Sequence, residues 1–203
     1  ERGWRLAVDA RGAGALEKAV GGIPGVAAIA GDVADSDHRR RLVESAGRPI
    51  DLLVNNASLL GPSPLPLLTR YSLEDLRSVY EANVFAPLAL VQLSAPRFAA
   101  HARVINLVSD AAFEAFDTWG GYGSSKAALA HITAVLGAEH PGLRIYAVDP
   151  GDMRTQMQQD AFPGEDVSDR APPEESVPGL LTLIEGDLPS GLYRARELVP
   201  ASA

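Results

Sequence analysis

Residues 104–126 read V-I-N-L-V-S-D-A-A-F-E-A-F-D-T-W-G-G-Y-G-S-S-K, passing from an apolar run through a lone hydroxyl into a helical pattern. The run at 104–108 has the length and β-branched content of a strand buried on both faces. It stops at Ser109. Helical periodicity starts at Tyr122 and continues to His140, where Pro141-Gly142 ends it. A strand handing over to a long helix is the repeating unit of a parallel sheet. Tyr122 and Lys126 lie four apart, so on a helix they share one face and a phenol stands beside an ammonium. A phenol titrates at about pH 10, and a neighbouring cation favours its ionised form. Such a pair suits proton exchange with an alcohol or carbonyl near neutral pH, and Ser109 brings a second hydroxyl. Alone, the Tyr-Lys spacing fits a half-buried helix with a snorkelling lysine equally well.

The surrounding segments decide between these readings. Apolar runs at 4–8, 26–30, 50–54 and 143–148 read as further strands, and 13–20 and 36–46 as helices. Residues 73–96 carry helical periodicity as two successive helices, 174–185 resumes a helix, and 191–194 reads as an edge strand. Strand-helix alternation predicts a doubly wound, Rossmann-like α/β fold, a parallel sheet with helices on both faces, in one domain over residues 1–203. Residues 153–173 are rich in Gln, Asp, Pro and Gly without a period, which suits a long loop acting as a lid. Polar clusters recur at the carboxyl ends of the strands: Asp9-Ala10-Arg11, Gly31-Asp32-Val33, Asn55-Asn56-Ala57, Ser109-Asp110 and Pro150-Gly151. In open α/β sheets ligands bind at that edge, so a dinucleotide site is expected.

Composition narrows the classes. The net charge of -8 and the lack of a basic stripe exclude nucleic acid as a partner. The one basic run, His38-Arg39-Arg40-Arg41, reads as a solvated helix face. With no cysteine there is no disulfide or thiolate chemistry, and the four scattered histidines lack metal-ligand spacing and read as surface or helix-end residues. The longest uncharged stretch, 52–69, is broken by Pro62, Pro64 and Pro66, so no membrane span is expected. No signal peptide is visible, and the expected location is the cytoplasm.

Taken in order, these residues resemble the short-chain dehydrogenase/reductase family over nearly the whole chain. The family's Asn, Ser, Tyr, Lys tetrad falls on Asn83, Ser109, Tyr122 and Lys126, alongside Asn55-Asn56-Ala57 and Pro150-Gly151. The resemblance implies an NAD(P)-dependent oxidoreductase that moves hydride between nicotinamide and a carbonyl or secondary alcohol. Tyr122 would be the general acid/base. Lys126 would lower its pKa and hold the ribose hydroxyls, and Ser109 would position the substrate oxygen. Asn83 would support a water relay; its plainer reading is a helix-interior Asn bonding its own backbone. Pro150-Gly151 would run beside the nicotinamide. Thr155 would bind the carboxamide or pyrophosphate, or else cap a lid helix. Asp32 would bond the adenine amine with Val33 on the ring, or Asp32 is an ordinary turn residue. Asn55 and Ala57 would flank the adenosine half.

Ser58 departs from the glycine usual after Asn-Asn-Ala, which either changes the backbone there or adds a hydroxyl. The family's first strand and its T-G-x-x-x-G-x-G loop are not found in these residues, and Gly12-Ala13-Gly14, after a later strand, reads as a turn. A chain starting earlier, by one βα unit of about 30 residues, is expected, with that strand at the sheet centre. Arg11 stands where a 2′-phosphate would be bound and Ala10 where an NAD-selecting acid would stand, which favours NADP over NAD. The alternative is a catalytically silent dinucleotide-binding sensor or scaffold of the same fold. Leu59, Leu60, Phe113, Phe116, Trp119, Met153 and Met157 suggest a partly apolar substrate, and the uncharged stretch 83–96 resembles the family's dimer helix, implying a homodimer or homotetramer.

Overall fold

A computed structural model describes residues 2–198. All strand pairs are parallel. Strands β1 (Leu6–Ala10) and β2 (Val26–Ala30) form one sheet, and β3 (Ile50–Asn55), β4 (Phe98–Leu107), β5 (Arg144–Asp149) and β6 (Gly191–Arg194) form a second in that order. A cleft of about 1250 Å³ separates β1 from β3, with Leu6 and Val54 exposed on its walls.

Helices α1 (Ala13–Val20), α2 (Ser36–Ala46), α3 (Leu73–Tyr80), α4 (Ala86–Ser94), α5 (Gly120–Glu139), α6 (Gln156–Ala161) and α7 (Val177–Glu185) connect the strands. Asp35 caps α2 by accepting from the Asp37 and His38 amides, and Ser72 caps α3 by accepting from the Glu74 and Asp75 amides. The core lies on both faces of the four-stranded sheet. Ile105, Tyr146, Val148 and Leu183 fill one side, and Val91, Val104, Leu136 and Ile145 the other.

Several sequence-based expectations shift. The first strand starts at Leu6 rather than residue 4, because its pairing with β2 begins at Leu6↔Val26. Strand β4 starts at Phe98, not 104; its alanine-rich first half carries no strand signature, and a register irregularity near Ile50/Leu52 and a left-handed His101 (φ 63°) interrupt it. The two helices expected at 73–96 are joined by a π-helical turn, Glu81–Phe85, a wider turn often found at functional sites. Residues 153–173 are not a plain loop. They contain α6 and close on themselves through a Met153↔Ala171 bridge and an Arg154 N–H to Ala171 C=O bond of 2.8 Å. Six residues are too few to show a period.

The basic run is not a solvated face. His38 is fully buried, its Nε2 3.0 Å from Asp9 Oδ2, and Arg39 donates to the Val33 carbonyl. Helix α2 packs this side against β1, so His38 and Arg39 serve the sheet while Arg40 remains outside with Asp37.

Candidate active site

The carboxyl ends of β4 and β5 and the start of α5 build the site. Ser109 follows β4 in extended geometry (φ -157°, ψ 160°), accepting from the Ala111 amide and donating to Asp110 Oδ1 at 2.8 Å. Helix α5 reaches this edge because Gly123 has no side chain: a Cβ there would stand 2.6 Å from the Ala111 carbonyl oxygen. That approach sets Tyr122 beside Ser109.

Tyr122 and Lys126 are 8% and 3% exposed, and the Lys126 Nζ lies 5.5 Å from the centroid of the Tyr122 ring. The helical spacing thus brings the two together on one face. The expected depression of the phenol does not follow. Burial pushes Tyr122 up to about 12, and the Asp110 and Asp149 carboxylates add to the rise; the neighbouring Ser58 and Ser109 hydroxyls oppose it. Burial also lowers Lys126 to about 8. The ammonium donates to the Leu107 carbonyl at 2.7 Å rather than to the phenol oxygen. With both groups out of water, desolvation outweighs their mutual effect.

Asn83 is fully buried within the π turn, and it does not bond its own backbone. Its Oδ1 accepts from the Leu59 amide at 2.7 Å and the Ser58 hydroxyl at 3.1 Å. Its Nδ2 donates to the Leu59 carbonyl and to Ser125 Oγ, each at 2.9 Å. Ser125 in turn donates to the Tyr122 carbonyl at 2.6 Å. Asn83 therefore ties the segment after β3 to α5, a link that strand and helix periodicity cannot reveal.

A pocket of about 210 Å³ opens beside these groups, with Ser109, Tyr122 and the Asp149-Pro150-Gly151 turn on its polar side. Phe116, Trp119, Met153, Met157 and Phe162 supply its apolar wall. Trp119 meets Tyr122 edge-on at 5.8 Å between centroids and Phe162 at 5.9 Å. Phe113 is exposed and Leu59 faces the large cleft, so neither joins this wall, whereas Leu60 packs with Tyr122. Gly151 takes a left-handed φ of 74°, and its amide donates to Asp149 Oδ1 at 2.8 Å. Burial raises the Asp149 pKa, with this amide bond opposing the rise. Thr155 caps α6, accepting from the Gln158 amide at 3.3 Å.

The remaining expected residues line the large cleft: Arg11, Asp32, Val33, Asn55 and Ala57. Asp32 holds its own turn by accepting from the Ala34 amide at 2.8 Å. Asn55 Nδ2 donates to Asn106 Oδ1 at 2.7 Å, while Asn55 Oδ1 is buried without a partner. Asp110, Ser125 and Ser58 are the site residues that sequence reasoning left without roles. The hydroxyl at 58, where the family pattern has glycine, was the one visible signal.

A parallel sheet, a Ser-Tyr-Lys cluster at its carboxyl edge and an adjoining cleft define an open α/β fold with a ligand-binding edge. The chain belongs to the short-chain dehydrogenase family, whose model matches residues 1–166. It is 33% identical over 134 residues to an uncharacterized oxidoreductase of Saccharomyces cerevisiae, covering 64% of this chain and 52% of that protein. It is 34% identical over 113 residues to a benzil reductase ((S)-benzoin forming) of Bacillus subtilis, covering 52% of this chain and 46% of the relative. The chain thus spans about half the length of these curated relatives. Among solved structures, a short chain dehydrogenase from Shigella flexneri complexed with NADP superposes with a TM-score of 0.76 at 26% identity, covering 91% of this chain and 80% of the other. No described helix is long and apolar enough to cross a membrane.

Proposed function

We propose that this chain forms the catalytic part of an NADP-dependent carbonyl reductase acting on apolar, aromatic ketones. The observation that carries the reading is the pocket in which Ser109 and Tyr122 face a wall of Phe116, Trp119, Met153, Met157 and Phe162. Two hydroxyls fix a carbonyl oxygen, and aromatic side chains favour a flat apolar body. The benzil reductase among the relatives acts on a molecule of that kind.

The residues present fit a dinucleotide. Arg11 lies in the cleft at the end of β1 to meet a 2′-phosphate, and Asp32 and Val33 stand beside it for the adenine. Buried Asn55 Oδ1 has no partner and offers an acceptor toward the adenosine half. Gly151 lines the pocket at the end expected to take the nicotinamide. Thr155, four residues on and also lining the pocket, is the candidate for the carboxamide.

A bound dihydronicotinamide supplies the hydride. The chain supplies the proton and the alignment. With its pKa pushed up to about 12, Tyr122 stays protonated at neutral pH and serves as the donor to the carbonyl oxygen as it gains charge. Lys126, buried beneath the ring, holds a positive charge next to the phenolate that forms. Ser109 positions the substrate oxygen. The bridged segment from Met153 to Ala171 brings Met153, Met157 and Phe162 to one side of the pocket. Phe85, exposed at the foot of α4, fits the expected pairing of subunits through this helix.

The test is Tyr122→Phe in the full-length protein, followed by NADPH absorbance with a panel of aryl ketones. Turnover is lost while dinucleotide binding persists. Near-normal turnover in this variant refutes the acid role, and turnover by the parent with aliphatic ketones alone refutes the substrate class.

A further inference from the structure

We propose that His38 is a positioning residue for cofactor choice: it engages the Asp9 carboxylate, which would otherwise pair with Arg11, and so leaves the Arg11 charge available to a 2′-phosphate. This rests on the reading of the cleft as an NADP site. Asp9 and Arg11 stand two apart at the end of β1. In extended chain that spacing is about 7 Å, within reach of an arginine side chain, and a carboxylate is the natural partner for a guanidinium. The pair does not form. Asp9 Oδ2 takes the His38 ring at 3.0 Å instead. Arg11 is exposed in the cleft and makes no ion pair among the described residues.

The geometry holds His38 to this task. Its side chain is 1% exposed and that of Asp9 18%, so the ring is internal while the carboxylate reaches the cleft wall. A carboxylate only accepts, so the ring Nε2 carries a proton and donates to it. His38 Nδ1 is buried without a partner, which leaves the bond to Asp9 as the polar contact that orients the ring. Room for the ring comes from Gly31, where a Cβ would stand 2.1 Å from His38 Nδ1. Gly31 is itself tied to β1, its amide donating to the Ala10 carbonyl at 3.1 Å. The other acids of the cleft are committed elsewhere: Asp32 accepts from the Ala34 amide at 2.8 Å, Glu81 faces Arg39 at 3.8 Å, and Asp51 lies at the start of β3, away from the strand ends.

Without the His38 donor, the Asp9 carboxylate disfavours a 2′-phosphate in two ways. It pairs with Arg11 and neutralises it, and it sets an anion beside the phosphate. A 2′-hydroxyl is not repelled and can donate to the same carboxylate. His38 therefore selects through Asp9, without touching the dinucleotide.

The experiment measures NADP and NAD binding by calorimetry to the full-length parent, His38→Leu, His38→Asn, His38→Gln, Asp9→Asn and the double variant His38→Leu/Asp9→Asn. The parent prefers NADP. In His38→Leu the affinity for NADP falls about fivefold, the contribution of a partly exposed ion pair, while NAD binds as before or more tightly. His38→Asn, whose shorter amide stops short of the Nε2 position, behaves alike and keeps a polar group over Gly31 where leucine is not tolerated. His38→Gln places an amide N–H where Nε2–H was and keeps the parental preference. The double variant, with no carboxylate to release, regains it. Lost packing alone weakens both dinucleotides equally and is not cured by Asp9→Asn. An unchanged ratio of NADP to NAD affinity in His38→Leu and His38→Asn overturns the proposal, as does a fall that Asp9→Asn fails to reverse. A parent that binds NAD as tightly as NADP instead overturns the cofactor reading beneath it.

Discussion

Replacing Lys126 by Met makes the folded protein more stable at neutral pH although it removes a residue to which the proposed chemistry gives a role. The ammonium is 3% exposed and titrates near 8 instead of 10.5. At about 1.4 kcal/mol per pH unit, holding that charge at pH 7 costs about 3 kcal/mol. Methionine has a similar stem and no charge. It forfeits the bond to the Leu107 carbonyl, a loss of about 2 kcal/mol for a charged donor. The balance favours Lys126→Met by about 1 kcal/mol, a Tm rise of about 2–4 °C for a chain of this size.

The sign of the pH dependence is the sharper test. A depressed lysine pKa adds stability above its unfolded value of 10.5 and loses it as pH falls through the folded value near 8. The parent therefore gains stability from pH 8 to 10.5 and the variant does not, so the advantage of Met shrinks by about 3 kcal/mol and reverses. Tyr122 acts in the opposite sense in both proteins: its raised pKa withdraws stability as pH rises from 10 to about 12. Urea titrations at neutral and alkaline pH, read by circular dichroism, measure the difference. A gap between parent and variant that stays constant across this window refutes the reasoning, as does a variant less stable at pH 7.

Arg11→Ala raises KM for NADPH by about tenfold and leaves KM for NADH nearly unchanged, measured by steady-state kinetics with both dinucleotides; a parent that already prefers NADH contradicts the role given to Arg11. Gly179→Ala places a Cβ 1.8 Å from the Ala195 carbonyl oxygen, where α7 packs on the turn after β6. It lowers stability by about 3 kcal/mol and Tm by about 10 °C in a thermal melt.

Much of this architecture was legible in the sequence because it follows from local periodicity. The second strand and the first two helices fall on their expected residues, and the polar clusters after β3, β4 and β5 do lie at one edge. Tyr122 and Lys126 meet because four residues make about one helical turn. Other features depend on distant residues. His38 is internal because α2 packs it onto β1 beside Asp9, 29 positions away in sequence. The first half of β4 and helix α6 are too irregular or too short to carry a pattern. The Tyr122 ionisation could not be read from its neighbours in sequence, because burial, a property of the whole fold, outweighs the adjacent cation.

The π turn at Glu81–Phe85 holds one residue more than an α-helical turn, and fully buried Asn83 sits within it. Each residue in a helix advances the direction of its side chain by about 100°. Excising one position there would let the turn relax into an α-helix and leave Leu90 and Val91 facing the interior, at the expense of the wider turn itself. Volume-preserving substitutions leave that phase untouched. A one-residue deletion, ordinarily confined to surface loops, therefore costs the phase of this helix less than it costs the contacts made by the turn.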